Sequence, residues 1–247
     1  MSMTAIRILP DPQALAEAAA RHVVERAQTA IRERGRFSIA LSGGSTPRDL
    51  HLRLARPPLV DQIDWARVHV FFGDERCVPP DDERSNFRMA NETLLSRVPI
   101  PPEQIHRMRG ELPPEEAAAD YERQLHALFG DEPPRLDLIL LGMGDNGHTA
   151  SLFPGLSAVR EQQRWVVAEY VAEVSMWRVT LTPVVLNLAR EDVFLVAGAA
   201  KAEMLRQVLE GPYAPDKLPA QVVRPTLGEV IWMVDAAAAA ALTVPPG

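Results

Sequence analysis

Three polar stretches in this chain have residue types that suit chemistry, and each follows a short apolar run. Ser42-Gly43-Gly44-Ser45-Thr46-Pro47 comes after Phe37–Leu41. Its two glycines let successive N–H groups turn inward, a helix start follows, and two hydroxyls stand beside it, which suits a phosphate group. The GxxxxGK signature of a P-loop is absent, and on its own such a stretch is more often an ordinary turn and helix cap. Gly73-Asp74-Glu75-Arg76 comes after Val68–Phe72; it is either an exposed charged turn or a carboxylate and a guanidinium delivered to a ligand. Gly142-Met143-Gly144-Asp145-Asn146-Gly147-His148 comes after Leu136–Leu141. It is either an Asn-Gly turn with an incidental imidazole or a candidate base, since free histidine titrates near neutrality.

The remaining candidates weigh less. Cys77 is a conceivable thiol nucleophile, but nothing in the sequence orients a base toward it. His22 and His126 fall in helical patterns and read as surface or boundary residues. His51, His69 and His106 lack a second ligand at metal spacing, so no metal site is expected. Trp65, Trp165, Trp177 and Trp232 read as packing residues, not a stacking platform for bases. Glu75 reads as a partner for a nearby arginine. Only Lys201 and Lys217 are lysines among 26 basic residues: either a compact ammonium is wanted there or the two survive by chance.

The elements that must position these groups alternate. A helix over 12–34 opens with Asp11 as cap and Pro12 in its first turn, buries Leu15, Ala19, Val23, Ala27 and Ile31, and stops at Gly35. Pro47 opens the next helix, and further helices are expected over 84–95, around 118–128 and over 199–209. Strands are expected over 37–41, 68–72, 136–141, 193–197 and 229–234, with a strand before the first helix and a short alanine-rich helix at the end. Apolar runs alternating with helices predict an α/β fold: a Rossmann-like, mainly parallel sheet with helices on both faces, as a single domain over 1–247. In such sheets ligands bind beyond the carboxyl ends of the strands, where all three polar stretches fall.

Composition narrows the function. The 247 residues carry 47% hydrophobic and 24% charged residues, which excludes wholesale disorder. No apolar run reaches the ~20 residues of a membrane span. A single cysteine excludes an internal disulfide framework, and the N-terminal stretch lacks a signal-peptide pattern, so a cytoplasmic protein is expected. A net charge of −7 disfavours broad nucleic-acid binding while leaving room for a small anion held by a few local donors.

Taken together, LSGGSTP, FFGDER followed by SNFRMANETLL, LGMGDNGHTASLFPG, RVTLTPVVLN and AGAAKAEML resemble the 6-phosphogluconolactonase family, in order and over nearly the whole chain. That family is related to glucosamine-6-phosphate deaminases and sugar-phosphate isomerases. The resemblance implies a Rossmann-like fold and hydrolysis of 6-phospho-D-glucono-1,5-lactone in the oxidative pentose phosphate pathway, with no metal or organic cofactor. It implies a small phosphosugar lactone as partner and leaves a monomer and a small homo-oligomer both open. It also implies that Gly43, Gly44, Ser45 and Thr46 hold the 6-phosphate, that Arg178 and Lys201 add charge there, that Asp74 and Arg76 line the sugar side, and that His148 is the base. Asn86 and Asn146 are further expected ligand contacts.

Two departures matter. The family usually reads DGH, whereas this chain has Asn146 before Gly147-His148. An asparagine cannot supply the charge that steadies an imidazolium, so either Asp145 or another acid such as Asp74 substitutes, or the base is weaker. The deaminase relatives carry a carboxylate five residues after the histidine; Phe153 stands here, which disfavours isomerisation with deamination. A non-catalytic sugar-phosphate sensor is the other alternative. The related regulators carry an N-terminal helix-turn-helix, whereas this chain opens on a strand and the helix at Pro12.

Overall fold

The computed structural model describes residues 4–130 and 132–243; residues 1–3, where the N-terminal reading begins, and residues 131 and 244–247 lie outside that description. After strand β1 (Thr4–Leu9), Asp11 accepts the Ala14 N–H at 2.8 Å, Pro12 fills the first turn, and helix α1 (Pro12–Arg34) runs until Gly35 turns left-handed at φ 76°. Leu15, Ala19, Val23 and Ala27 are buried as their spacing requires, and Ile31 is half-buried. Strand β2 (Phe37–Leu41) leads into helix α2 (Ser45–Leu54), with Gly44 as its cap. This helix starts before Pro47, which sits in the first turn where no N–H is needed. Strand β3 (Val68–Phe72) follows, then a three-residue strand β4 (Asp74–Arg76), helix α3 (Asn86–Thr93) and helix α4 (Pro114–Phe129). Strands β5 (Leu138–Leu141), β6 (Val166–Val171) and β7 (Met176–Leu181), the single turn α5 (Pro183–Leu186), strand β8 (Glu191–Val196), helix α6 (Ala202–Glu210) and strand β9 (Glu229–Asp235) complete the order.

Six strands form one sheet, ordered β1-β9-β8-β5-β2-β3, and every pairing in it is parallel. Alternation along the strands feeds two cores. Ile39, Leu41, Leu138 and Leu140 pack with Leu15, Val23, Leu50 and Ala90 from α1–α3. Ala40, Ile139 and Leu141 pack with Tyr121, Leu186 and Leu205 from α4–α6. Helices therefore cover both faces, as the α/β reading requires. From β2 the chain steps outward to β3 and then crosses back to β5, so the loops after β2 and β5 part at a topological switch point.

The structure corrects several expectations. Asp74-Glu75-Arg76 is no turn: as β4 it joins β7 and β6 in a separate antiparallel sheet, with Asp74 opposite Thr180 and Arg76 opposite Arg178. Glu75 is buried and, among the described residues, its carboxylate pairs with no arginine guanidinium. Its carboxylate accepts the N–H groups of Arg76, Asn86 and Phe87 at 2.8 Å each and the Ser85 hydroxyl at 2.9 Å. With Ser85 accepting the Arg88 N–H, it caps α3, which is why that helix begins at Asn86 and not at 84. His22 lies inside, hydrogen-bonded to the buried Glu191. Trp177 is exposed, while Trp65, Trp165 and Trp232 are buried.

Next to Glu191, Asp192 points to the opposite core. It is fully buried, and neither carboxylate oxygen has a hydrogen-bond partner among the described residues. Burial first, and the Glu191 charge second, push its pKa well above the usual carboxylate range. The folded protein thus keeps a proton that the unfolded chain releases above about pH 4. With the folded pKa raised, stability is lost as pH rises through the window above that point. Asp192→Asn keeps the shape and removes this linkage. It is expected to raise Tm at pH 7 by about 3 °C or more, with the gain shrinking toward pH 4.5. Thermal unfolding at both pH values checks this; an unchanged or lower Tm at pH 7 overturns it.

Candidate active site

The carboxyl ends of β5, β2 and β3 are neighbours, and the loops that follow them meet in one cleft. The cleft encloses about 170 Å³ and is lined by Gly43, Gly44, Asp74, Arg76, Asn86, His148 and Arg178, together with Ser42, Met143 and Ala150. Seven of the residues singled out in the sequence thus share one hollow.

Each is held from behind. Asn86, first residue of α3, donates its amide to the Asp74 carbonyl at 2.9 Å and to the Asp74 carboxylate at 3.2 Å. It lies so close to the β2 loop that a Cβ on Gly43 would meet Asn86 Oδ1 at 2.0 Å. Gly44 takes φ 107°, which a side chain would oppose. Asp74 also accepts the Ser151 hydroxyl at 2.6 Å and faces Arg178 at 3.6 Å. Arg76 reaches the Arg84 carbonyl with one terminal nitrogen. The Nε atoms of Arg76 and Arg178 are buried and donate to nothing among the described residues. Burial pulls the Arg178 pKa down, Asp74 opposes that, and the Arg76 charge adds to it. Two arginines opposite one another across the strands, with the Asp74 carboxylate against Arg178 alone, make a setting for an anion.

The β5 loop presents the imidazole. Asn146 Oδ1 accepts from the His148 backbone N–H at 3.2 Å and lies 2.6 Å from His148 Nδ1. The Asn146 amide nitrogen donates to Glu173 at 3.0 Å, so its oxygen must face the ring. An acceptor there puts the ring proton on Nδ1 and leaves the Nε2 lone pair free. Phe153 stacks on the imidazole, with centroids 4.1 Å apart. Burial is the largest influence on His148 and takes its pKa down to about 4. Asp74 raises it, Arg178 and Lys201 lower it, and Asp145 raises it. The ring is therefore neutral at pH 7, the form that accepts a proton.

Four expected residues sit differently. Ser45 and Thr46 form the first turn of α2, Ser45 exposed and Thr46 half-buried, and do not line the cleft. Asn146 stands behind the imidazole and not against the hollow. Lys201 pairs with Asp145 on the β5 loop. Neither acid considered as a substitute for the missing aspartate hydrogen-bonds the ring: Asp145 is taken by Lys201, and Asp74 by Ser151, Asn86 and Arg178. Cys77 is removed as a nucleophile, because burial and the Glu75 charge push its thiol up to about 11. The sequence alone does not single out Ser151 and Glu173. Ser151 lies within the GHTAS run, but Glu173 follows a distant strand and carries no local signal.

Among the described residues no cluster of His, Cys, Asp or Glu side chains could hold a metal ion, and no helix is long and apolar enough to cross a membrane.

A Rossmann-like α/β sheet thus brings a half-buried imidazole and a guanidinium pair together at its switch point, a setting that suits a small anionic molecule. The model for glucosamine-6-phosphate isomerases/6-phosphogluconolactonase matches residues 10–232, and the chain belongs to this family. It is 41% identical to a 6-phosphogluconolactonase of Nostoc sp. over 97% of this chain and 98% of that one. To the human 6-phosphogluconolactonase it is 40% identical, over 97% and 94%. The solved 6-phosphogluconolactonase of Trypanosoma cruzi superposes with a TM-score of 0.88 at 31% identity, covering 99% of both chains.

Proposed function

We propose that the protein hydrolyses 6-phospho-D-glucono-1,5-lactone to 6-phospho-D-gluconate, the ester-opening step of the oxidative pentose phosphate pathway. The observation that carries this reading is that His148, its Nδ1 held by Asn146, lines the same cleft as Arg76 and Arg178. The relatives named above, with that activity in their names, support the choice of substrate.

The chemistry asks little more. His148 Nε2 takes a proton from water as the oxygen attacks the C1 carbonyl. The tetrahedral oxyanion is stabilised by Arg76 or by N–H groups of the Gly142–Gly147 turn. When it collapses, the C1–ring oxygen bond breaks and His148 returns the proton to the leaving oxygen, so the imidazole ends neutral. The phosphate, held near Gly43 and Gly44 with Arg178 supplying charge and Lys201 reaching it by leaving Asp145, fixes C1 against the base. Asp74 and Asn86 line the sugar side. Phe153 is an apolar plate under the ring with no acid–base capacity, which speaks against the deaminase chemistry.

The test is direct. The lactone is generated with glucose-6-phosphate dehydrogenase and its loss is followed, with the spontaneous reaction subtracted. Acceleration at micromolar protein is expected. Binding without turnover would favour the sensor reading, and neither would sink the assignment. Within this reading, Arg178→Ala and Lys201→Ala each weaken phosphorylated ligands by roughly 10- to 100-fold, as expected for hydrogen bonds to a charged group. Unphosphorylated gluconolactone should lose far less; equal losses would remove both residues from phosphate recognition.

A further inference from the structure

Asn146 is the place where this chain lacks the carboxylate expected behind the imidazole, yet it is not an end point. Its oxygen faces His148 Nδ1 at 2.6 Å and its amide nitrogen donates to Glu173 at 3.0 Å. Glu173 lies in the turn between β6 and β7, far from the β5 loop in sequence, and its side chain reaches across to it. The three groups form a line: carboxylate, amide, imidazole. An amide whose N–H is bound by an anion becomes a better acceptor at its oxygen, because hydrogen bonds in series polarise one another.

We propose that Glu173 is a positioning residue for His148, supplying through the Asn146 amide the negative charge that a directly placed aspartate would supply. This rests on the hydrolytic reading of the site. Glu173 fixes the Asn146 amide with its oxygen toward the ring, so the ring stays in the Nδ1–H tautomer. Its charge also favours the imidazolium that forms as water is deprotonated. The charges that act on the ring directly are Asp74 on β4, Arg178 on β7, Lys201 ahead of α6 and Asp145 on the same loop, whereas Glu173 reaches it through Asn146. All four remain in place when Glu173 is changed, since none hydrogen-bonds to it.

The experiment uses Glu173→Ala and Glu173→Gln in the full chain. Glu173 is exposed, so both variants are expected to fold. Two readouts are taken: kcat and KM for the lactone across pH, and the NMR titration of the His148 ring without substrate. Glu173→Ala is expected to lower kcat by roughly 2- to 10-fold, the size of one hydrogen bond, with KM within about twofold. The ring's midpoint moves to lower pH by about 0.3–1 unit, because a stabilising negative charge is gone. Glu173→Gln keeps an acceptor oxygen without the charge, so it retains more of kcat while moving the titration in the same direction. In an Asn146→Asp background a carboxylate touches the ring directly, and Glu173→Ala should no longer lower kcat. A His148 titration unchanged in both single variants overturns the proposal, as does an equal loss of kcat with Asp at 146. Because the titration needs no substrate, a shifted midpoint in a protein that turns over no lactone would refute the hydrolytic reading alone.

Discussion

His148→Ala is expected to lower kcat by roughly 10²–10⁴-fold while leaving the affinity for 6-phosphogluconate within about threefold. The asymmetry follows from the site. The imidazole sits in the cleft with Nε2 free, whereas the positive charge comes from Arg76 and Arg178 on the neighbouring antiparallel sheet. Truncating the ring removes the proton acceptor and leaves the cations standing. The pH profile gives a second check on the same residue. Burial takes the His148 pKa down to about 4, so the base form persists well below neutrality. For the wild type, kcat/KM should hold as pH falls from 7 to 5.5 and drop only as the ring protonates near 4. An acid limb centred at the ordinary histidine value near 6.5 would mean that burial does not govern this group. Unchanged kcat in the alanine variant would remove His148 from the mechanism.

Much of this site is legible in the sequence because the parallel sheet is built from local signals. Leu136–Leu141 reads as an apolar run and Gly142–His148 as the turn that ends it; the strand order then brings that turn beside Gly43 and Gly44. Asp11, Pro12 and Gly35 mark α1 by cap chemistry that needs no tertiary information. What was not legible depends on pairing between distant segments. Asp74-Glu75-Arg76 is too short and too charged to show a period of two, and it becomes a strand only because β7 lies against it. The apposition of Arg76 and Arg178 follows from that register alone. His22 looks like a helix-surface residue until the buried Glu191 of β8 is found beside it. Glu173 is an ordinary acid on a turn, and only the folded chain brings it to Asn146. Local propensity gives the elements, and register decides which charges meet.

Gly144→Ala is expected to cost roughly 10²-fold in kcat although it adds one methyl group to a loop. A Cβ at this position would lie 2.0 Å from His148 Nδ1 and 2.1 Å from Cε1, well inside contact distance. The ring cannot retreat freely, since Phe153 stacks on it and Asn146 holds Nδ1. The Gly144 N–H is bonded to the His148 carbonyl at 2.8 Å, so the loop closes on itself and offers little slack. The methyl group therefore displaces the imidazole by something near an ångström and breaks its bond to Asn146. Misplacement on that scale is enough for losses of two orders of magnitude. Gly144 does not have the positive φ that would strain alanine, so the clash with the ring, not backbone strain, is what the methyl group introduces. Circular dichroism and Tm separate misplacement from unfolding, because the Gly144 variant should retain its fold and its affinity for the phosphorylated product. Near-normal turnover in Gly144→Ala would show that the reaction tolerates a displaced ring, and His148 would then act through something other than a fixed Nε2.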